Sequence, residues 1–338
     1  MSLHRRGAIN NTAVHGLSPR PPLALAPLAA RLPSSPLTRF APAPTGFLHL
    51  GHVVNAIYVW GVARALGGRV LLRVEDHDKQ RCRAEYEAAL LEDLDWLGLE
   101  PDVYPTGVFR AGACDGRQSD RYAHYHRAAQ TLIARGLVYG CNCTRREIDE
   151  ANARVTASAS VAPPDVAGEL HYPGTCRARG LSLGGPVGWR LVVDPGLVTV
   201  DDAVHGVSRQ DPSVQCGDLL LRDRLANWTY QFAVAVDDLA HGVDLVVRGD
   251  DLFASTGRQM LLGRLLGRPR PLVFLHHPLV MKTAGRKLSK SDSDTGVRDL
   301  RAAGWSAERV LGHAAHRAGL VAVERDVCVD ELPALVGV

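Results

Sequence analysis

Lysine is scarce in this chain: Lys79, Lys282, Lys287 and Lys290 stand against 35 arginines. Three of the four fall within nine positions, and a chain that otherwise uses arginine keeps lysine there, which points to chemistry at 282–290. Acids are missing altogether from residues 1–74, which carry eight arginines and sum to +8. The formal net charge of +3 therefore leaves the remainder at −5, which argues only mild affinity for polyanions. No apolar run approaches 18 residues, which argues against a membrane-spanning helix and a membrane partner. Heptads and repeats of 20–50 residues are absent, so coiled coils and solenoids are excluded. What is present suffices for one large or two ordinary domains: 338 residues, 46% of them hydrophobic.

Residues 1–37 are rich in Pro, Ala, Leu and Arg, and the run 19–36 (PRPPLALAPLAARLPSSP) holds too many prolines for a helix or central strand. The Arg-rich, acid-free character fits a targeting peptide, but Pro22 and Pro27 break its apolar run. A disordered leader is the expectation. From Thr38 strands and helices alternate. A short strand at 38–41 leads through Pro42 and Pro44 into a buried helix over 50–66, stopped by Gly67-Gly68. A strand is expected at 69–76 and helices at 81–97 and 119–135. A strand at 243–247, a helix at 252–266 and a strand at 272–275 follow. This alternation predicts an α/β fold: an open, Rossmann-like parallel sheet with helices on both faces. Residues 38–139 and 226–285 would form its halves, split by an insertion at 140–225. Residues 286–338 would be a loop and a short helical extension.

Two motifs carry phosphate chemistry. His49-Leu50-Gly51-His52 follows a strand and opens a helix, where unpaired N–H groups and the helix dipole favour a phosphate. Gly51 would let a nucleotide approach the backbone. Lys287 and Lys290 lie in KTAGRKLSKS (282–291), where two cations suit a reacting triphosphate. A third cluster is Cys141-x-Cys143 followed by Cys176. Cysteines one residue apart do not readily pair as a disulfide, whereas three thiolates and one further ligand suit tetrahedral zinc. Cys82, Cys114, Cys216 and Cys328 have no ligand spacing and read as ordinary thiols.

Together HLGH and KLSKS resemble the two signatures of class I aminoacyl-tRNA synthetases. The stretches RFAPAPTG (39–46), RVED (73–76), VDD (236–238) and VRGDDL (247–252) resemble the glutamyl/glutaminyl branch. Only 47 residues follow Ser291, too few for that branch's anticodon-binding domains, so the chain resembles the glutamyl-Q tRNA(Asp) synthetases.

The resemblance implies ATP-dependent activation of L-glutamate without tRNA, then transfer to queuosine at the wobble position of tRNA(Asp). Glutamate binding would fall to Arg39, Phe40, Ala41, Pro42, Ala43, Glu75, Tyr230 and Arg248. A guanidinium suits the substrate's carboxylate and a carboxylate suits its ammonium group. ATP binding would fall to His49, Gly51, His52 and Lys290, and catalysis to His49, His52, Lys287 and Lys290. One structural Zn2+ would sit on Cys141, Cys143, Tyr172 and Cys176, and Mg2+ would accompany ATP. Ala43 departs from the family's serine. A longer linker at 144–171, including RVTASASVAPPD at 154–165, leaves His171 as an alternative fourth ligand. A cytoplasmic monomer is expected. The nearest alternative is a short glutamyl-tRNA synthetase that charges the tRNA 3′ end.

Overall fold

The computed structural model describes residues 23–78, 80–158, 171–283, 286–287 and 296–337. Strands are β1 (Leu37–Phe40), β2 (Arg69–Leu72), β3 (Val138–Cys141), β4 (Gly188–Leu191), β5 (Val198–Asp202), β6 (Gly206–Gln210), β7 (Leu219–Arg222), β8 (Leu245–Gly249), β9 (Val273–His277), β10 (Met281–Thr283) and β11 (Arg286–Lys287). Helices before the second half are α1 (Leu25–Ala29), α2 (Leu50–Ala65), α3 (Ala84–Trp96), α4 (Thr106–Ala111), α5 (Tyr122–Ala134), α6 (Arg145–Ser158) and α7 (Pro212–Gln215). They are followed by α8 (Tyr230–Ala240), α9 (Thr256–Leu265), α10 (Val297–Ala302), α11 (Ala307–Arg317) and α12 (Leu332–Val336).

The expected alternation is present. β1 pairs in parallel with β2, and β8 with β9. The two pairs meet where Asp244 N donates to Leu37 O at 2.8 Å and the Asp244 carboxylate accepts from Leu37 N at 3.0 Å. The chain leaves β1 through α2 to one side of it, while β8 lies on the other. Carboxyl ends of strands at such a switch point are where open α/β sheets bind ligands. The helix α2 is apolar all round because it is covered on both sides. One side faces the sheet; on the other, Gly61 sits against the backbone and side chains of α12.

Two boundaries differ from the sequence reading. Residues 198–210 fall inside the expected insertion, yet β5 and β6 form a hairpin that extends the central sheet in the order β6-β5-β9-β8. Only β3, β4 and β7 make a separate antiparallel sheet in that stretch. Residues 23–37 are also not a loose leader. α1 buries Leu25 and Leu28, and Leu23 N donates to Val336 O at 3.0 Å. Pro27 is tolerated because it lies in the first turn, where its missing N–H would have had no helical partner. The helix α6 continues into the run at 154–165 as far as Ser158. Among the described residues no helix is long and apolar enough to cross a membrane.

Candidate active site

The turn after β1 delivers His49 as the N-cap of α2. Its Nδ1 accepts from Gly51 N at 3.0 Å, and His52 Nδ1 accepts from His49 N at 3.2 Å. Both Nδ1 atoms are thus acceptors, so each neutral ring carries its proton on Nε2. The two rings lie 4.0 Å apart, and both can donate from that nitrogen. Gly51 is required for a reason the sequence did not give. A Cβ there would come within 2.9 Å of His49 Cε1, so the glycine first makes room for the histidine ring.

Beyond the lysine motif the described chain resumes beside His49. Gly296 bridges His49, and Val297 N donates to Leu48 O at 2.9 Å. Lys287 belongs by its backbone to β11, which pairs with β10. Lys290 lies outside the described residues.

The expected glutamate-site side chains gather at the switch point, and they are joined by charges the motifs did not single out. Arg39 is buried. Its Nε donates to Asp238 Oδ1 at 3.3 Å and its Nη1 to Val247 O at 3.2 Å. Fully buried Arg73 donates to Asp238 Oδ1 at 2.6 Å and to Glu75 Oε1 at 2.9 Å. Burial opposes the Asp238 charge, yet Arg73 and Arg39 hold that carboxyl down at about 2. Asp237, also buried, accepts from Gln118, Arg121 and Tyr125. Tyr230 opens α8, and burial, followed by the charge of Glu75, raises its phenol above the usual range.

Arg248, near the end of β8, is 4% exposed. Its hydrogen bonds run to neutral acceptors: Nε to His276 Nε2 at 2.9 Å, Nη1 to Gln259 Oε1 at 2.7 Å, and Nη2 to Thr256 Oγ1 at 2.8 Å and Leu252 O at 3.3 Å. Among the described residues it forms no ion pair with a carboxylate. Burial, the largest cause, lowers its pKa to about 10, so the guanidinium stays charged near neutrality. A buried, fixed cation whose hydrogen bonds all end on neutral acceptors suits an anionic ligand.

The thiols of Cys141, Cys143 and Cys176 lie within 4.8 Å of one another and could hold a metal ion. Tyr172 Oη joins them, 3.3 Å from Cys141 Sγ and 3.6 Å from Cys143 Sγ. Its position is set by Gly217, whose φ is +64° and where a Cβ would fall 2.0 Å from Tyr172 O. The His171 ring turns elsewhere, with Nε2 at 3.2 Å from Ser213 O. Of the two candidates for a fourth ligand, Tyr172 is the one against the thiols. Burial, with the neighbouring thiols adding to it, pushes Cys143 up to about 11. Such a donor set ionises together only around a cation. A cavity of about 490 Å³ separates the thiols from Tyr230, lined by Arg145, Arg190 and Arg224 as well as Asp218 and Asp223.

The resemblance pointed to Arg39, Glu75, Tyr230 and Arg248, and these four lie near one another in the fold. The motifs missed the partners that hold them: Asp202 and His276 entirely, and the roles of Arg73, Asp237 and Asp238. The last three stood inside quoted stretches, but nothing in their spacing tells a buried pair from an exposed one.

A parallel sheet with a histidine-capped helix and a buried guanidinium at its switch point fits a class I synthetase catalytic domain, and the family match bears this out. Residues 37–330 match the family of class I tRNA synthetases (E and Q), catalytic domain. The glutamyl-Q tRNA(Asp) synthetase of Rhodobacter capsulatus is 39% identical over 282 residues, covering 80% of this chain and 96% of that one. That of Cupriavidus metallidurans is 41% identical over 275 residues, covering 79% and 82%. The chain belongs to the glutamyl-Q tRNA(Asp) synthetase family, a group of class I ligases. The glutamate-tRNA synthetase of Elizabethkingia anophelis has a similar structure, with a TM-score of 0.71 and 26% identity. This chain spans 65% of that longer protein, which covers 88% of this one.

Proposed function

We propose that the chain joins L-glutamate to ATP and then transfers it to queuosine at the wobble position of tRNA(Asp). An oxygen of the glutamate α-carboxylate attacks the α-phosphorus, and the bond to the β-phosphate oxygen breaks to release pyrophosphate. The carboxylate is already ionised near neutral pH, so this step needs no general base. The barrier lies in alignment and in charge at the phosphates. His49 and His52 donate Nε2–H toward phosphate oxygens at the amino end of α2, and Lys287 and Lys290 meet the departing pyrophosphate. Magnesium travels with the nucleotide.

Glutamate lies between Arg248 and Glu75, with Arg39 and Tyr230 beside it and backbone from 39–43 along it; Ala43 offers no hydroxyl there. The observation that carries the substrate class is Arg248, a buried guanidinium whose described partners are all neutral. In the second step a cyclopentene hydroxyl of queuosine attacks the activated carbonyl carbon and AMP leaves. The cavity between Tyr230 and the thiols, with exposed Arg145 and Arg224 at it, supports an RNA approach from that side. Cys141, Cys143, Cys176 and Tyr172 would hold one zinc, which supplies a cross-link and no chemistry of the reaction.

The test uses radiolabelled glutamate with ATP, offered whole tRNA(Asp) and, separately, its anticodon stem-loop bearing queuosine. Labelling of both is expected. Labelling of a tRNA 3′ end and none of the stem-loop would replace this reading with that of a short glutamyl-tRNA synthetase.

A further inference from the structure

Arg248 does not stand alone. Its Nε–H ends on His276 Nε2 at 2.9 Å, and the opposite nitrogen of that ring, Nδ1, lies 2.7 Å from Asp202 Oδ2. Asp202 is locked in turn by the backbone. Its Oδ1 accepts from Val204 N at 2.9 Å and His205 N at 2.8 Å, and its Oδ2 from His276 N at 3.1 Å. Asp202 and His276 side chains are both fully buried. A carboxylate has no proton to give, so Nδ1 of the imidazole must donate to it. Nε2 then has only its lone pair to offer, which is what an arginine N–H requires.

We infer that Asp202 and His276 are positioning residues that fix the imidazole tautomer and thereby aim the Arg248 guanidinium at the substrate's carboxylate. This rests on the proposed glutamate reading. Asp202 comes from β5, His276 from β9 and Arg248 from β8, so the relay crosses three neighbouring strands. Other groups face the ring too. Thr256 Oγ1 of α9 is 3.2 Å from Nε2, the His205 ring centroid is 6.4 Å away, and Phe253 and Phe274 close its edge and face. Burial disfavours the charged imidazole despite Asp202, as the relay needs. A protonated ring would present an N–H to the N–H of Arg248. Replacing His276 by a lysine or arginine would do the same, whereas an apolar side chain would leave Nε of Arg248 unpaired inside the protein. Either change lets the guanidinium drift, and the cost falls on the amino acid and not on ATP, whose histidines stand on α2.

The experiment measures ATP–pyrophosphate exchange with KM for glutamate and for ATP determined separately, in wild type, His276→Leu and His276→Gln. Removing one hydrogen bond to a buried charge should raise the glutamate KM of His276→Leu about tenfold to a hundredfold. The ATP KM should stay within roughly twofold. His276→Gln, whose Oε1 can accept the same Arg248 N–H, should recover most of the loss. Nitrogen NMR of the wild type, with histidine labelled, should find His276 neutral and protonated on Nδ1 near neutral pH. An unchanged glutamate KM in His276→Leu, an equal rise for ATP, or a proton on Nε2 overturns the relay. The NMR result decides if the leucine variant does not fold. Exchange in the wild type that does not depend on glutamate overturns the substrate reading instead.

Discussion

His49 shows how much a single residue can carry. It caps α2 through its Nδ1, bridges to Gly296 and occupies the space that Gly51 leaves open. Its Nε2 is thereby turned into a fixed donor at the positive end of a helix. Removing one such donor typically costs 10²–10³ in rate, about 3–4 kcal/mol. We expect His49→Ala and Lys290→Ala each to slow glutamate-dependent ATP–pyrophosphate exchange by about that factor. Exchange at wild-type rates in both variants would remove the phosphate role from both motifs. These motifs were legible in the sequence because their chemistry needs rare residue types at fixed spacing. The Arg73, Asp237 and Asp238 network was not. Its members are common residues from distant segments, and only the topology makes them neighbours. A buried pair such as Arg73–Asp238 reads in sequence like any surface pair.

Elements sort the same way. The periodicity of 50–66 and the stop at Gly67-Gly68 gave α2 to within a residue. The hairpin β5–β6 is hidden inside an apparent insertion because its only strand-ladder register with the central sheet is Asp202 with Phe274. That pairing has no local signature. β4 and β7 pack into a large apolar cluster with α5 and α8, but the cluster around the thiols is only Cys141, Ile148, Tyr172 and Cys176 with a few half-buried neighbours. So small a core relies on a cross-link to stay closed. We expect purified protein to carry close to one zinc per chain and Cys141→Ser to lose nearly all of it. Limited proteolysis should then cut between residues 142 and 187 faster than elsewhere. A wild-type protein free of zinc, or a serine variant with unchanged metal content and cleavage, would show that the thiols serve another purpose.

For the whole molecule, composition misled where packing decides. The acid-free front of the chain has the look of a leader, and proline density argued against any element there. Proline forbids a helix interior but not a first turn, and α1 is a single short helix that uses this freedom. What holds it is long-range. Leu25 and Leu28 join the same apolar core as α2, α11 and α12, and Leu23 reaches Val336. Arg39 and the strand β1 follow directly, so residues 23–37 are tied to the wall of the proposed glutamate site. Of the eight arginines of residues 1–74, Arg31, Arg39, Arg64, Arg69 and Arg73 lie in the described part of the fold, and Arg39 and Arg73 are buried beside Asp238. Deleting residues 1–37 should remove Leu37 from β1 and yield little folded protein. A milder test separates packing from loss of the strand. Leu28, 1% exposed, sits in the main apolar core, so truncating it leaves a cavity there. Leu28→Ala should cost about 2–5 kcal/mol and lower the melting temperature by several degrees. Exchange activity at 25 °C should remain within roughly twofold of wild type, since Leu28 touches no reacting group. An unchanged melting temperature would mean that α1 adds nothing to the folded unit, and the whole of residues 23–36 would revert to a leader.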